Sequence, residues 1–410
     1  MISNNKNTNI KLYTLACVLT LSACQSHYSD ESSTNKTLNA ESLAKRYIIA
    51  DTHIDVPYRL IEKYEDVTNG TESGDFDFPR AKLGGLDAAF MSIYIPAELQ
   101  TEGGSKETAD KLIDMVEQIV KNAPSKFSLA YTTAEVEKNF KAGLISLPMG
   151  MENGSAIEGK IENLNHFYER GIRYITLAHS KANHISDSSY DPERPAQGLT
   201  DFGKQLITEM NNLGIMIDVS HISDLAFEQV MTLSQTPVIA SHSSARHFTP
   251  GFERNMSDGM IKQLAENGGV IQINFGSTFI SQKSLSHWNQ FKTKREAFAK
   301  SNNVTMDSPE VEAFTVKYQQ ENPFPFATLN DVLDHFDHVV NIVGIEHVGI
   351  GSDYDGVGDS LPTGLKDVST YPNLIQGLID RGYNASDIEK IMSGNLMRVW
   401  KAVEDYSKTH

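Results

Sequence analysis

Two short apolar runs each end in a histidine: Gly214-Ile-Met-Ile-Asp-Val-Ser-His221 and Pro237-Val-Ile-Ala-Ser-His242. Each is β-branched and unbroken, as a strand buried on both faces must be, and its polar residues gather at the C-terminal end. The pattern recurs along the chain. Ile48 to Asp55 ends in Asp51-Thr-His53-Ile-Asp55, and Leu144 to Asn153 ends in Met151-Glu152-Asn153. Arg173 to His179 ends in Leu177-Ala-His179, and Val348 to Asp355 ends in Gly351-Ser-Asp353-Tyr-Asp355. Parallel strands that all deliver metal-type or acid–base side chains at one end describe the open face of a (β/α)8 barrel.

The spacing between the runs agrees with that fold. Eight strand candidates end near Asp55, Pro96, Asn153, His179, His221, His242, Phe275 and Asp355. Amphipathic stretches separate them: Ala109 to Ala123 puts Leu112, Ile113, Val116, Ile119 and Val120 on one face, and Asp201 to Leu213 does the same with Phe202, Leu206, Ile207 and Met210. Alternation of this kind gives a parallel sheet with helices outside, and eight repeats let the sheet close. Ser257 is placed to cap a helix that Asn267-Gly268-Gly269 ends, and Glu389 to Trp400 reads as the closing helices. The fold class is therefore α/β, a TIM-type barrel with two insertions. Residues 62–82, after the first strand, read as a loop or hairpin. Residues 276–326, after the seventh, are too long for an ordinary βα loop and read as a lid or subunit contact.

A formal charge of −17 argues against nucleic acid as a partner, since no basic concentration exists to displace phosphate counterions. At the N-terminus, Lys6 and Lys11 precede an apolar stretch, Leu12 to Leu21, too short to span a bilayer. The following Leu21-Ser-Ala-Cys24 resembles a bacterial lipobox. The expected layout is a lipoprotein signal peptide over 1–23, a flexible tether over 24–43 rich in Ser, Asn, Thr and Glu, and the barrel over 44–410. Membrane attachment would then run through a lipidated Cys24. Gln25 in the next position favours the outer membrane, so the expected location is a cell-envelope lipoprotein facing the periplasm or exterior. Loss of the leader removes Cys17 and leaves Cys24 acylated, so no disulfide is expected.

Metal chemistry needs neutral imidazoles and ionised carboxylates converging from separate strands. His53, Asp55, Glu152, His221 and His242 meet that description, with His53 and Asp55 two apart and so on one face of a strand. Two cations would share Glu152 as a bridging carboxylate, and a hydroxide between them would be a strong nucleophile at neutral pH. Asp51 reads as a neighbour that orients His53, while His184, His247, His335 and His338 read as surface or supporting residues.

These residues carry a family resemblance. Asp51-Thr-His-Ile-Asp55, Gly150-Met-Glu-Asn-Gly154, Tyr174-Ile-Thr-Leu-Ala-His179, Ile217-Asp-Val-Ser-His221, Val238-Ile-Ala-Ser-His-Ser-Ser-Ala245, Arg254-Asn255 and Gly351-Ser-Asp-Tyr-Asp-Gly356 resemble, in order, the motifs of the membrane (renal-type) dipeptidases of the amidohydrolase superfamily. The resemblance implies two Zn2+ per chain, one on His53 and Asp55 and the other on His221 and His242, bridged by Glu152. It implies that His179 stabilises the oxyanion, that Arg254 clamps a substrate carboxylate, and that Asp353 moves the proton and meets the α-amino group. The implied substrates are small free dipeptides with either an L or a D residue on the carboxyl side. Two other readings remain open: a binuclear-metal hydrolase acting on a β-lactam or N-acyl amino acid, and a non-catalytic peptide-binding lipoprotein. Without cysteines to spare, disulfide-linked pairing is not expected, and a non-covalent homodimer stays open.

Overall fold

The computed structural model describes residues 39–410. The expected signal peptide, Cys24 and most of the tether lie outside those residues. The tether ends earlier than the sequence predicts, because residues 40–43 already belong to a helix, Ala40–Arg46. Asn39 caps it by accepting from the Ser42 N–H, and Leu43 and Ala44 face inward against the helix Tyr371–Asp380.

Ten strands follow in one sheet: β1 (Ile49–Ile54), β2 (Leu86–Tyr94), β3 (Phe127–Leu129), β4 (Ile145–Leu147), β5 (Met149–Glu152), β6 (Ile172–Thr176), β7 (Met216–Asp218), β8 (Ile239–Ser243), β9 (Val270–Ile273) and β10 (Val348–Ile350). All pairings are parallel, in the order β10-β9-β8-β7-β6-β5-β2, with β1 on β2. Beyond the strand ends, β1 also meets β10. Asp55 N–H donates to Tyr354 O at 2.9 Å and Asp353 N–H to His53 O at 3.1 Å, which closes the ring. The barrel of eight strands predicted from the polar-ended runs is present.

One run divides. Leu144 to Asn153 reads as a single strand, but Pro148 has no N–H and separates β4 from β5. Both halves pair with β2, and β4 continues outward to β3, a short strand the apolar pattern does not announce.

Alternation along the strands builds two layers. Ala88 and Phe90 of β2 point inward with Ala50, Tyr174, Met216, Ile239 and Val270, while Ala89, Met91 and Ile93 face the helices. The floor of the inner layer is the C-terminal helix Asn395–Ser407, whose Trp400 is fully buried with its ring 5.2 Å from that of Phe90. The barrel is thus filled below its mouth.

Both insertions exist, in more specific forms. Within the first, residues 63–77 form a loop rather than a hairpin and lead into the helix Phe78–Gly84; the loop is latched to the segment after β10, where Asp355 N–H donates to Asp75 Oδ2 at 2.8 Å and Arg59 Nε lies 3.2 Å from Asp355 Oδ2. Residues 276–326 form helices Ser277–Ile280, Gln282–Asn302 and Pro309–Glu321, the latter two stacked through Phe298 on Phe314 at 4.6 Å. Among the described residues, no helix is long and apolar enough to cross a membrane.

Candidate active site

The strand ends deliver the side chains, and the chain bends sharply there to do so. Asn153, His221, Asp353 and Asp355 all have positive φ, 74°, 68°, 64° and 66°. Asn, Asp and His are the non-glycine residues that most often take this left-handed backbone, and such strain persists where the surroundings over-determine it. Asp55 lies just past β1 at the start of the helix Val56–Glu62 rather than within the strand. It still reaches the same place, with Oδ2 3.4 Å from His53 Nε2.

Glu152 stands at the centre, and its two oxygens face different partners. Oε1 lies 3.1 Å from His221 Nε2 and 3.2 Å from His242 Nε2, while Oε2 lies 3.4 Å from His53 Nε2. All five proposed ligand side chains are buried, His53 at 0% and Asp55, the most exposed, at 7%.

Hydrogen bonds set the tautomers. The Tyr174 hydroxyl donates its one proton to Thr52 O at 2.9 Å, so it accepts from His53 Nδ1, 2.9 Å away. His53 Nδ1 therefore carries the proton and Nε2 presents a lone pair. Ser241 does the same for His242: its hydroxyl donates to Asp218 Oδ2 at 2.6 Å and accepts from His242 Nδ1 at 2.7 Å. Asp218 is held in turn by the N–H groups of Ser220 and Ser241 and by Thr176 Oγ1. Both histidines thus turn Nε2 toward the cluster, where it can bind a cation, with Nδ1–H fixed behind them.

A set of this kind fits divalent cations. Buried His53 Nε2 has no hydrogen-bond partner, and His221 and His242 bring their Nε2 atoms to 2.8 Å from each other beside a carboxylate. Electrostatics without a cation show the same demand. Burial opposes charge on His53, yet Tyr174, Glu152 and Asp55 outweigh it and raise its pKa well above the ordinary value. Glu152 shows the converse: burial pushes its pKa up, but His53 and His179 overcome this and hold it well below the usual carboxylate range. His221 and His242 are driven well below the ordinary imidazole value, by burial first and then by neighbouring positive charge.

Around this cluster stand the three remaining predicted residues. His179 Nε2 lies 3.6 Å from Glu152 Oε1, its pKa lowered by burial so that it is a neutral N–H donor. Asp353 accepts from Asn274 Nδ2 at 2.7 Å, and burial raises its pKa to about 7. Arg254 is 3% exposed. Its Nη1 donates to Ser243 Oγ at 2.6 Å and its Nη2 to His242 O at 2.7 Å, while Nε is buried without a partner. Among the described residues no carboxylate forms an ion pair with it. The guanidinium sits 5.2 Å above the Phe279 ring.

The family profile described as membrane dipeptidase, peptidase family M19, matches residues 38–410. The chain belongs to this family. Among its relatives, Dipeptidase aclJ of Aspergillus oryzae is 32% identical over 343 residues, 82% of this chain and 72% of that protein. Dipeptidase 3 of Mus musculus is 31% identical over 374 residues, 89% of this chain and 66% of that protein. The crystal structure of the probable dipeptidase PvdM from Pseudomonas aeruginosa superposes with a TM-score of 0.78 at 28% identity, covering 90% of this chain and 98% of that one. This M19 chain is an enzyme of the metallo-dipeptidase family.

Several residues that shape the M19 site escaped the sequence reading. Tyr174 orients the His53 ring, a task the sequence assigns to Asp51. Asp51 instead holds backbone: Oδ1 accepts from the N–H groups of His53 and Ser352, and Oδ2 from Tyr371 at 2.5 Å. Asn274 and Asp218 were also missed, although Asp218 lies inside the Ile-Asp-Val-Ser-His run and was available as a signal. His335 is fully buried rather than at the surface, and supports the loop after β8 by accepting the Ala245 N–H.

Proposed function

We propose that this chain is a zinc-dependent dipeptidase that hydrolyses the peptide bond of free dipeptides, with an L residue on the amino side and L or D on the carboxyl side. The observation that carries the reading is the buried guanidinium of Arg254. Among the described residues no carboxylate pairs with it, and it lies within electrostatic reach of Glu152, whose two oxygens face separate nitrogen sets. His53 and Asp55 with Glu152 Oε2 would hold one Zn2+, and His221 and His242 with Glu152 Oε1 the other; nitrogen and oxygen donors of this kind suit zinc. When bound, the two ions supply Lewis acidity, polarising the scissile carbonyl and acidifying water.

The protein side chains perform the remaining steps. Arg254 pairs with the substrate's terminal carboxylate through a planar, fixed set of donors. His179, kept neutral by burial, donates a hydrogen bond to the carbonyl oxygen as it gains charge. Asp353, raised to about 7 by burial and oriented by Asn274, takes a proton from the attacking water and returns it to the leaving amine. The same carboxylate faces the free α-amino group of the substrate.

The testing experiment is release of amino acids from L,L and L,D dipeptides beside a tripeptide and an N-acetylated dipeptide, with zinc-loaded and chelated enzyme. Zinc-dependent cleavage of the free dipeptides alone is expected. Cleavage of the tripeptide or blocked substrate at similar rates would replace this reading with a broader amidohydrolase.

We further propose that Cys24 is lipidated and anchors the enzyme in the cell envelope, at the outer membrane, on the strength of the Leu21-Ser-Ala-Cys24 run. Fatty-acid labelling of the wild type that persists in Cys24→Ala would contradict it. Any homodimer would be non-covalent.

A further inference from the structure

Strand β8 leads into the loop that bears Arg254, and on the outer side of the barrel this loop carries a second group of donors. His247 lies in the short helix Arg246–Phe248, Asp258 opens the helix Asp258–Glu266, and His338 sits on the helix Leu329–Val343. These three segments bring two imidazoles and a carboxylate together, one donor atom from each lying within 4.8 Å of the others. His338 Nε2 is 2.8 Å from Asp258 Oδ1. The His247 ring stacks on the His338 ring with centroids 4.4 Å apart and an interplanar angle of 22°. Phe248 walls one side, edge-on to both imidazoles at 4.9 and 5.5 Å. The other side is open to solvent, His247 being exposed and the Asp258 side chain 46% exposed.

We propose that His247, Asp258 and His338 bind a divalent transition-metal ion at a site separate from the barrel mouth. Two imidazoles and one carboxylate with a solvent-facing fourth position match the ligand preferences of Zn2+. The ion takes the place of the proton shared by His338 and Asp258. Bonds of about 2.0–2.2 Å require the donors to close up. Exposed His247 can supply that movement, because among the described residues its ring nitrogens have no other partner.

The consequence follows from where the three residues are anchored. One turn before His338 on the same helix, His335 already holds the start of the Arg254-bearing loop by accepting the Ala245 N–H at 3.0 Å. An ion on His247 and His338 ties the same loop to the same helix a second time. It is therefore a clamp on the segment that positions Arg254, made without a ligand from the cluster at the mouth.

The test compares zinc content per chain, by elemental analysis, in intact enzyme equilibrated with tens of micromolar free zinc. The wild type is expected to hold one more ion per chain than His247→Ala and than His338→Ala under the same conditions. Zinc should also raise the melting temperature of the wild type more than that of either variant. Because His247 is exposed, its alanine variant is expected to fold as the wild type does, and the difference does not depend on how many ions the mouth holds. Equal zinc content in wild type and His247→Ala would overturn the proposal.

Discussion

Tyr174 has a single hydroxyl proton and gives it to Thr52, and that choice keeps a proton on His53 Nδ1 and leaves Nε2 as the nitrogen that faces Glu152. Nothing in the sequence marks it. The residue sits within an apolar strand, where an aromatic reads as core, and its one polar atom matters only because the barrel brings β6 opposite the end of β1. His53, Glu152, His221, His242 and Asp353 were legible for the opposite reason, as polar residues that interrupt apolar runs at a fixed end. His335 shows the limit of reading histidines singly. Its Nδ1 accepts the Ala245 N–H and its Nε2–H donates to Ile280 O at 3.0 Å, an arrangement open only to the neutral ring. Burial pushes its pKa down to about 4. Between that value and the ordinary 6.5 the unfolded chain binds the proton and the native state does not, so stability rises with pH across this window. The contribution is complete above 6.5 and lost as pH falls through about 4; it is on the order of 3–4 kcal/mol, at about 1.4 kcal/mol per unit. Urea unfolding of wild type and His335→Gln between pH 4 and 7 checks this. The variant should show the flatter pH dependence, and parallel curves would contradict the assignment.

At the scale of elements, the strands act by how closely they approach one another. Gly150 of β5 lies in register with Tyr174 of β6, and a Cβ there would stand 1.9 Å from the Tyr174 ring. The glycine is what lets the tyrosine cross to His53. Gly150→Ala must move the ring, since both strands are fixed by pairing. Overpacking should cost about 1–3 kcal/mol, and loss of the His53 hydrogen bond should weaken metal binding, roughly 10–100-fold for a residue behind a ligand. Metal titration and unfolding of the variant test both effects, and unchanged affinity would detach Tyr174 from the ligand it supports. The existence of the eight barrel strands was legible because each is buried on both faces and therefore continuous in apolar residues. Strand β3 was not, being short and at the sheet's edge. The break at Pro148 was readable in principle, but the apolar run on either side concealed it. Likewise the helix Ala40–Arg46 hides in a polar stretch, because only Ala40, Leu43 and Ala44 are buried.

The whole molecule separates stability from chemistry along the barrel axis. Below, Trp400 and the inward side chains fill the barrel; above, strand ends gather a carboxylate-centred donor cluster with one unpaired guanidinium. The formal charge of −17 makes that contrast sharper, since a buried arginine with no acid paired to it among the described residues is unusual in so acidic a chain. Its charge was legible, its burial was not: an arginine in a loop reads as solvated, and only the packing of β8, Phe279 and the loop itself encloses it. In the proposed function this guanidinium reads a free C-terminus. The most direct measurement is therefore kcat/KM for one dipeptide and for its C-terminal amide, in the wild type and in Arg254→Met. Removing a partner from a buried charged pair costs about 2–5 kcal/mol. The wild type should accordingly prefer the free acid by about 30-fold or more, and Arg254→Met should lose activity on the acid while showing little preference between the two. A wild type that cleaves the amide as well as the acid, or a variant that keeps the full preference, would contradict the claim.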